Sequence, residues 1–253
     1  MPDDQRLATT ATTDEWQLRV DLAAAFRLAA LFNWHEAIAN HFSAAVSPDG
    51  SKFLINPKWR HFGRIRASER LLLDANDPDT MNRPDAPDAS AWSIHGRIHA
   101  KLPLARCALH VHSPYATAVA ALQDPSIPPI EQNTARYYNR IAIDRNFGGI
   151  ADDVAEGERI ANAMGNHKRM MMGNHGVTVI GTSIAAAFDD LYYLERACQT
   201  LVLARSTGQP LNIMPHDLAE TTARGWDAYV GADVAHFEEL KRILDDTDPS
   251  YKH

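Results

Sequence analysis

Cysteine is nearly absent: Cys107 and Cys198 are the only two in 253 residues, so no disulfide framework staples this chain and its fold must rest on a core. One thiol falls in a strand-like run and the other in a helix-like run, and both read as buried. Long apolar runs are missing as well. No stretch reaches the ~18 to 20 residues needed to span a bilayer. The opening "MPDDQRLATTATTDEWQ" lacks the cationic stretch leading into an apolar one that marks a secretory signal. These absences predict a cytoplasmic protein with no membrane partner. Positive charge is also short, with 25 Lys and Arg against 32 Asp and Glu and a net charge of −7. The basic residues are scattered, whereas a nucleic-acid surface needs them clustered. The expected partner is therefore a small molecule.

Apolar residues make up 45% of the chain, ample for a core. No repeat or low-complexity linker interrupts residues 14–245. The threonines of residues 1–13 offer little to bury, which predicts a disordered tail ahead of one domain over 14–253. Thr13 or Asp14 caps a helix running to about Phe32, on near-helical apolar spacing. "NHFSAAV" and "KFLINP" read as a hairpin around a Pro-Asp-Gly turn, and Leu71 to Leu73 as a further strand. "SAWSIHGRIHAKL" reads as a helix capped by Ser90, and "RCALHVH" as the strand after it. Ser113 and Pro114 suit the N-cap and first turn of "YATAVAALQ". Then follow a strand "RIAIDR", a helix "DDVAEGERIANAM", two strand halves around "GNHG", a long helix closed by Gly208, and a helical extension over about 215–245. This order predicts an α/β fold: a single-domain three-layer αβα architecture with a mixed, largely antiparallel central sheet.

Twelve histidines are present. On a strand, residues i and i+2 share a face, so His110 and His112 point the same way while Leu109 and Val111 point into the opposite layer. Two such imidazoles can reach one divalent ion, which wants three or four donors. His175, between Gly173 and Gly176, is a candidate third, because glycine on both sides lets another strand come close. An HxH pair equally suits the wet face of a strand, and spacing alone leaves both readings open.

The stretch "IHGRIHAKLPLARCALHVHSPYATAVAAL", followed by "GNHGVTVIGTSIAAAFDDLYYLERACQT", resembles the class II aldolase and adducin head-domain family over about residues 15–205. The resemblance implies that His110, His112 and His175 bind one divalent metal ion, zinc first, with Mn, Fe or Co as alternatives. It implies Tyr137 and His95 as catalytic candidates and His41, Asn56, Arg136 and Tyr138 as substrate-binding ones, with "EQNTARYYNR" at the position of a loop that closes on a metal site, often that of a neighbouring subunit. A homotetramer is implied too. His35, His61, His99, His167, His216, His236 and His253 have no such context.

Two departures from the family's pattern matter. Its aldolases and epimerases carry an acid in a Ser-Glu-Trp-like stretch that ends in a histidine fifteen residues before the first ligand. The matching stretch is Ser90-Ala91-Trp92-Ser93-Ile94-His95, His95 keeps that separation from His110, and the acid position is Ala91. An alanine cannot exchange a proton. In "INPKWRHF", Trp59 stands where the phosphate-binding members have glycine. The resulting expectation is a metal-dependent lyase that cleaves a C–C bond, by decarboxylation or an aldol-type reaction, in a small hydroxy, keto or carboxylic acid. The alternative is a non-enzymatic adducin-like oligomerisation or binding module, which has no chemical reason to keep all three histidines.

Overall fold

The computed structural model describes residues 13–253. The expected tail over 1–13 lies outside the described residues, except that Thr13 opens the first helix. Eight helices are seen among them: α1 (Thr13–Leu31), α2 (Ala89–Lys101), α3 (Pro114–Ala120), α4 (Gln132–Arg136), α5 (Val154–Met164), α6 (Ile184–Ser206), α7 (His216–Asp227) and α8 (Ala232–Thr247). Seven strands, β1 (His41–Ala45), β2 (Lys52–Ile55), β3 (Leu71–Asp74), β4 (Cys107–Val111), β5 (Ile141–Asp144), β6 (Arg169–Met172) and β7 (Gly176–Gly181), form one sheet. Its order is β3-β2-β1-β4-β7-β6-β5. Every pairing is antiparallel except β5 with β6, so the sheet is mixed and largely antiparallel, as expected.

Alternation along the strands builds two cores. Leu109 and Val111 of β4, with Val177 and Val179 of β7, pack under Phe26 and Leu28 of α1 and Phe188 and Leu191 of α6. On the opposite face, Ala108, Met170 and Ile180 meet Ile94 and Ile98 of α2 and Ile160 and Met164 of α5. Each fully buried Val, Leu, Ile, Phe or Met side chain among these contributes about 1.5–3 kcal/mol. Helices α2 and α5 cross tightly at Gly157, where any Cβ would collide with the Ser93 carbonyl oxygen. The sheet is thus covered on both faces. No helix among the described residues is long and apolar enough to cross a membrane.

Two helix starts differ from the sequence reading. Helix α2 is capped by Asp88, whose carboxylate accepts from the Ser90 N–H. At α3, Ser113 holds the N-cap position, but its hydroxyl donates to Glu195 Oε2 at 2.7 Å. The Glu195 carboxylate takes the Tyr115 and Ala116 N–H groups at 2.8 and 2.9 Å. A buried acid on α6 thus supplies the cap that local sequence assigned to a serine, and it already answers the positive end of that short helix.

Candidate metal centre

The site forms where three neighbouring strands end on the α2 face of the sheet. His41 of β1 is opposite His110 of β4, which is opposite Thr178 of β7, so three polar residues lie in one row. His112 follows β4 directly, and His175 comes from the tight turn between β6 and β7. The three rings converge, with centroids 5.0 Å apart for His110 and His112 and 4.8 Å for each of these with His175. One nitrogen from each lies within 4.8 Å of the others. The glycine beside His175 has a steric purpose: a Cβ on Gly176 would come within 2.5 Å of the Val111 carbonyl oxygen and 2.7 Å of the His112 ring.

The outer nitrogens are held. His110 Nδ1 donates to the Val177 carbonyl at 3.0 Å and lies 3.2 Å from Thr178 Oγ1. His112 Nδ1 donates to Glu36 Oε2 at 2.6 Å. Each ring therefore turns Nε2 inward, and these two atoms are 3.2 Å apart. Nitrogens around a tetrahedral zinc at ~2.0–2.1 Å are about 3.3–3.4 Å from one another, so the donor set fits such an ion. Burial pushes His110 well below the usual imidazole range and His175 down to about 4, with neighbouring histidines adding to the effect. Neutral imidazole is the form a metal requires.

The triad lines a cavity of about 400 Å³, together with Asn40, His41, Asn56, Lys58, Trp59, Asp88, Ser90, Ala91, Phe147 and Asn174. Ala91 is buried against Phe53, Ile55 and Leu73 and brings no acid. The carboxylate on this wall belongs instead to Asp88, whose Oδ2 is 3.9 Å from Lys58 Nζ. Trp59 has φ +65, a left-handed backbone that glycine adopts freely and other residues at a cost of roughly 1–2 kcal/mol. Trp59 is 70% exposed and lines the cavity, with Lys58 Nζ 4.7 Å from its ring centroid.

Of the other expected residues, His41 and Asn56 line this cavity. The Asn56 amide is tied to backbone, accepting from Phe42 N–H and donating to the Asn40 carbonyl. His95 is fully buried behind His41, its Nε2 2.8 Å from His41 Nδ1. Tyr137, Arg136 and Tyr138 are elsewhere in this chain. "QNTAR" forms helix α4, capped by Glu131, rather than a free loop, and Tyr137, only 2% exposed, donates its hydroxyl to the Asp190 carbonyl at 2.9 Å. Burial holds this phenol well above its usual range. Arg136 pairs with Asp189 and Asp190, and the Tyr138 hydroxyl bonds to His216 Nδ1. Asp88, Glu36, Lys58 and His99 were not singled out from sequence. Glu36 and His99 act through partners far away in the chain, so no local signal marks them, whereas Asp88, an N-cap residue type two positions before Ser90, carried a local signal that the choice of Ser90 as cap passed over.

The sequence matches the family described as Class II Aldolase and Adducin N-terminal domain over residues 20–202. It is 33% identical over 210 residues to a Caulobacter vibrioides protein provisionally named an aldolase class 2 protein, covering 83% of this chain and 81% of that one. The crystal structure of an aldolase II superfamily protein from Pseudomonas syringae superposes with a TM-score of 0.89 at 32% identity, covering 98% of this chain and 100% of that one. Decarboxylase NovR of Streptomyces niveus is 25% identical over 201 residues, 77% of this chain and 74% of its own.

Proposed function

Because this chain belongs to the class II aldolase and adducin N-terminal domain family, we propose that it is a metal-dependent lyase that cleaves a C–C bond in a small hydroxy, keto or carboxylic acid. The observation that carries this reading is the convergence of His110, His112 and His175 on one cavity, with the first two held by oxygens on their outer nitrogens. When bound there, a divalent ion, zinc first, would supply Lewis acidity toward a substrate oxygen.

The chain's own residues do the rest. Lys58 carries a cationic Nζ at the cavity, suited to a substrate carboxylate. The Trp59 indole occupies the rim beside it and narrows the approach that a bulky phosphate would need. His41 brings an imidazole to the wall, and Phe147, whose ring centroid is 5.6 Å from that of His175, helps exclude water. With Ala91 in the acid position, a reaction that must begin by deprotonating an alcohol lacks the family's usual base. Decarboxylation has no such first step, which favours it over aldol cleavage, and the relation to Decarboxylase NovR supports the same preference. The assembly proposed is a homotetramer, which light scattering of the purified protein would check. A purely binding role would give no reason for three converging imidazoles beside a lysine.

The experiment is a screen of zinc-loaded protein against hydroxylated aromatic, β-keto and hydroxy-keto acids, following CO₂ release and aldol cleavage. Turnover that stops on chelation and returns with zinc supports the proposal. Stoichiometric zinc uptake with no turnover of any class would favour the binding-module reading.

A further inference from the structure

Behind the cavity wall, a line of polar side chains runs into the core. His41 Nδ1 is 2.8 Å from His95 Nε2, Ser43 Oγ is 2.5 Å from His95 Nδ1 and 2.7 Å from His99 Nε2, and His99 Nδ1 is 2.6 Å from the Ala105 carbonyl oxygen. Ser43 and His95 are fully buried and His99 is 3% exposed, so no water completes these bonds in their place. The line joins β1 to α2 and ends on the turn before β4.

Counting donors fixes the direction of every bond. A carbonyl oxygen only accepts, so His99 Nδ1 carries the proton and its Nε2, in the neutral ring, must accept. The Ser43 hydroxyl has one proton, which goes to His99 Nε2, so Ser43 Oγ accepts from His95 Nδ1–H. His95 Nε2 is then an acceptor and takes the His41 Nδ1–H. His41 Nε2 is left as a bare acceptor on the cavity wall. Its neighbour Ser90 lies 3.3 Å away and spends its own proton on the Asp88 carboxylate at 2.7 Å. The reverse direction would require His99 to hold protons on both nitrogens as a buried cation with no carboxylate in contact, which burial strongly disfavours.

We propose that the Ala105 carbonyl, acting through the positioning residues His99, Ser43 and His95, sets the tautomer of His41 so that its Nε2 faces the cavity as a fixed hydrogen-bond acceptor. The functional consequence rests on the lyase reading above: a substrate hydroxyl meets a ready acceptor at this point, whereas a carbonyl oxygen meets an opposing lone pair. The site is thereby biased toward hydroxy acids.

The test is long-range ¹⁵N–¹H correlation spectroscopy of the imidazoles in the full-length protein at neutral pH, metal-free and zinc-loaded. The expected pattern is Nδ1–H with unprotonated Nε2 for His41, His95 and His99. Finding Nε2–H as the main tautomer of any of the three, or His99 doubly protonated, overturns the proposal. In Ser43→Ala the line is cut. His95 loses the acceptor for Nδ1–H, and the Nε2–H tautomer is expected to appear in His95 and, in step, in His41, while Ser43→Thr keeps the wild-type pattern. An unchanged His41 signal in a folded Ser43→Ala protein also overturns it, and if that variant does not fold, the wild-type and Ser43→Thr spectra decide. Zinc uptake measured on the same samples separates the two readings: its loss removes the lyase proposal and leaves the tautomers standing, whereas wrong tautomers with normal uptake remove this one alone.

Discussion

His110 and His112 aim their Nε2 atoms at each other across 3.2 Å, although each ring gives its only proton to an oxygen on the far side, the Val177 carbonyl for one and the Glu36 carboxylate for the other. Two facing lone pairs at that distance repel, so the arrangement is satisfied by a positive charge placed between them. His175 closes the third side.

Glu36 is the partner that fixes His112, and such outer hydrogen bonds are worth ~10–100-fold in metal affinity. Glu36→Gln should therefore weaken zinc binding by about that factor. The pair is exposed enough, with Glu36 52% accessible, that the melting temperature of the metal-free protein should hardly move. Competition against a chromophoric chelator measures the first and scanning calorimetry the second. Equal affinity in the two proteins would show that Glu36 does not orient the ligand.

Gly176→Ala tests the geometry of the turn. The added methyl meets the Val111 carbonyl and the His112 ring, so either the β4–β7 pairing or the imidazole must give way. The expected result is a drop in zinc affinity of roughly tenfold or more, on the same scale as loss of an orienting hydrogen bond. Gly173, whose Cβ would approach the Asp144 carbonyl at 3.0 Å, faces away from the triad, and Gly173→Ala should spare the affinity.

Glu195→Gln addresses the cap of α3. The carboxylate accepts from three donors, and an amide would turn its NH₂ toward at least one of them. An unsatisfied buried donor costs about 1–3 kcal/mol, to be read from urea denaturation. No change in the midpoint would mean that the helix start is held by other means.

Acid should loosen the fold through His99. Burial pushes its pKa from 6.5 down to about 4, so the unfolded chain takes up a proton near 6.5 and the folded chain does not until about 4. The unfolded state binds more protons across that window, and stability must fall as pH drops from 6.5 to about 4. His99→Gln removes this contribution. The metal-free variant should lose stability less steeply over that range than the wild type, and parallel curves would contradict the assignment.

Much of this was legible in the sequence because it is local. Alternation placed His110 and His112 on one face with Leu109 and Val111 on the other, and the glycines around His175 announced a close approach. What escaped was non-local. Ser113 looks like a helix cap until Glu195 arrives from 82 residues away, and His99 looks idle until β1 brings Ser43 against it across 56. Tyr137 looked available because the family resemblance sets "EQNTARYYNR" at a loop that closes on the metal site. A five-residue helix and the Asp189, Asp190 and Arg169 ion pairs instead draw that segment into the core.

The most direct test of the central claim is a zinc titration of chelator-treated protein by calorimetry, with elemental analysis of the product. The account predicts about one zinc per chain in the wild type, and none held in His110→Ala/His112→Ala or in His175→Ala proteins that still fold. No uptake by the wild type, or undiminished uptake by those variants, would contradict it.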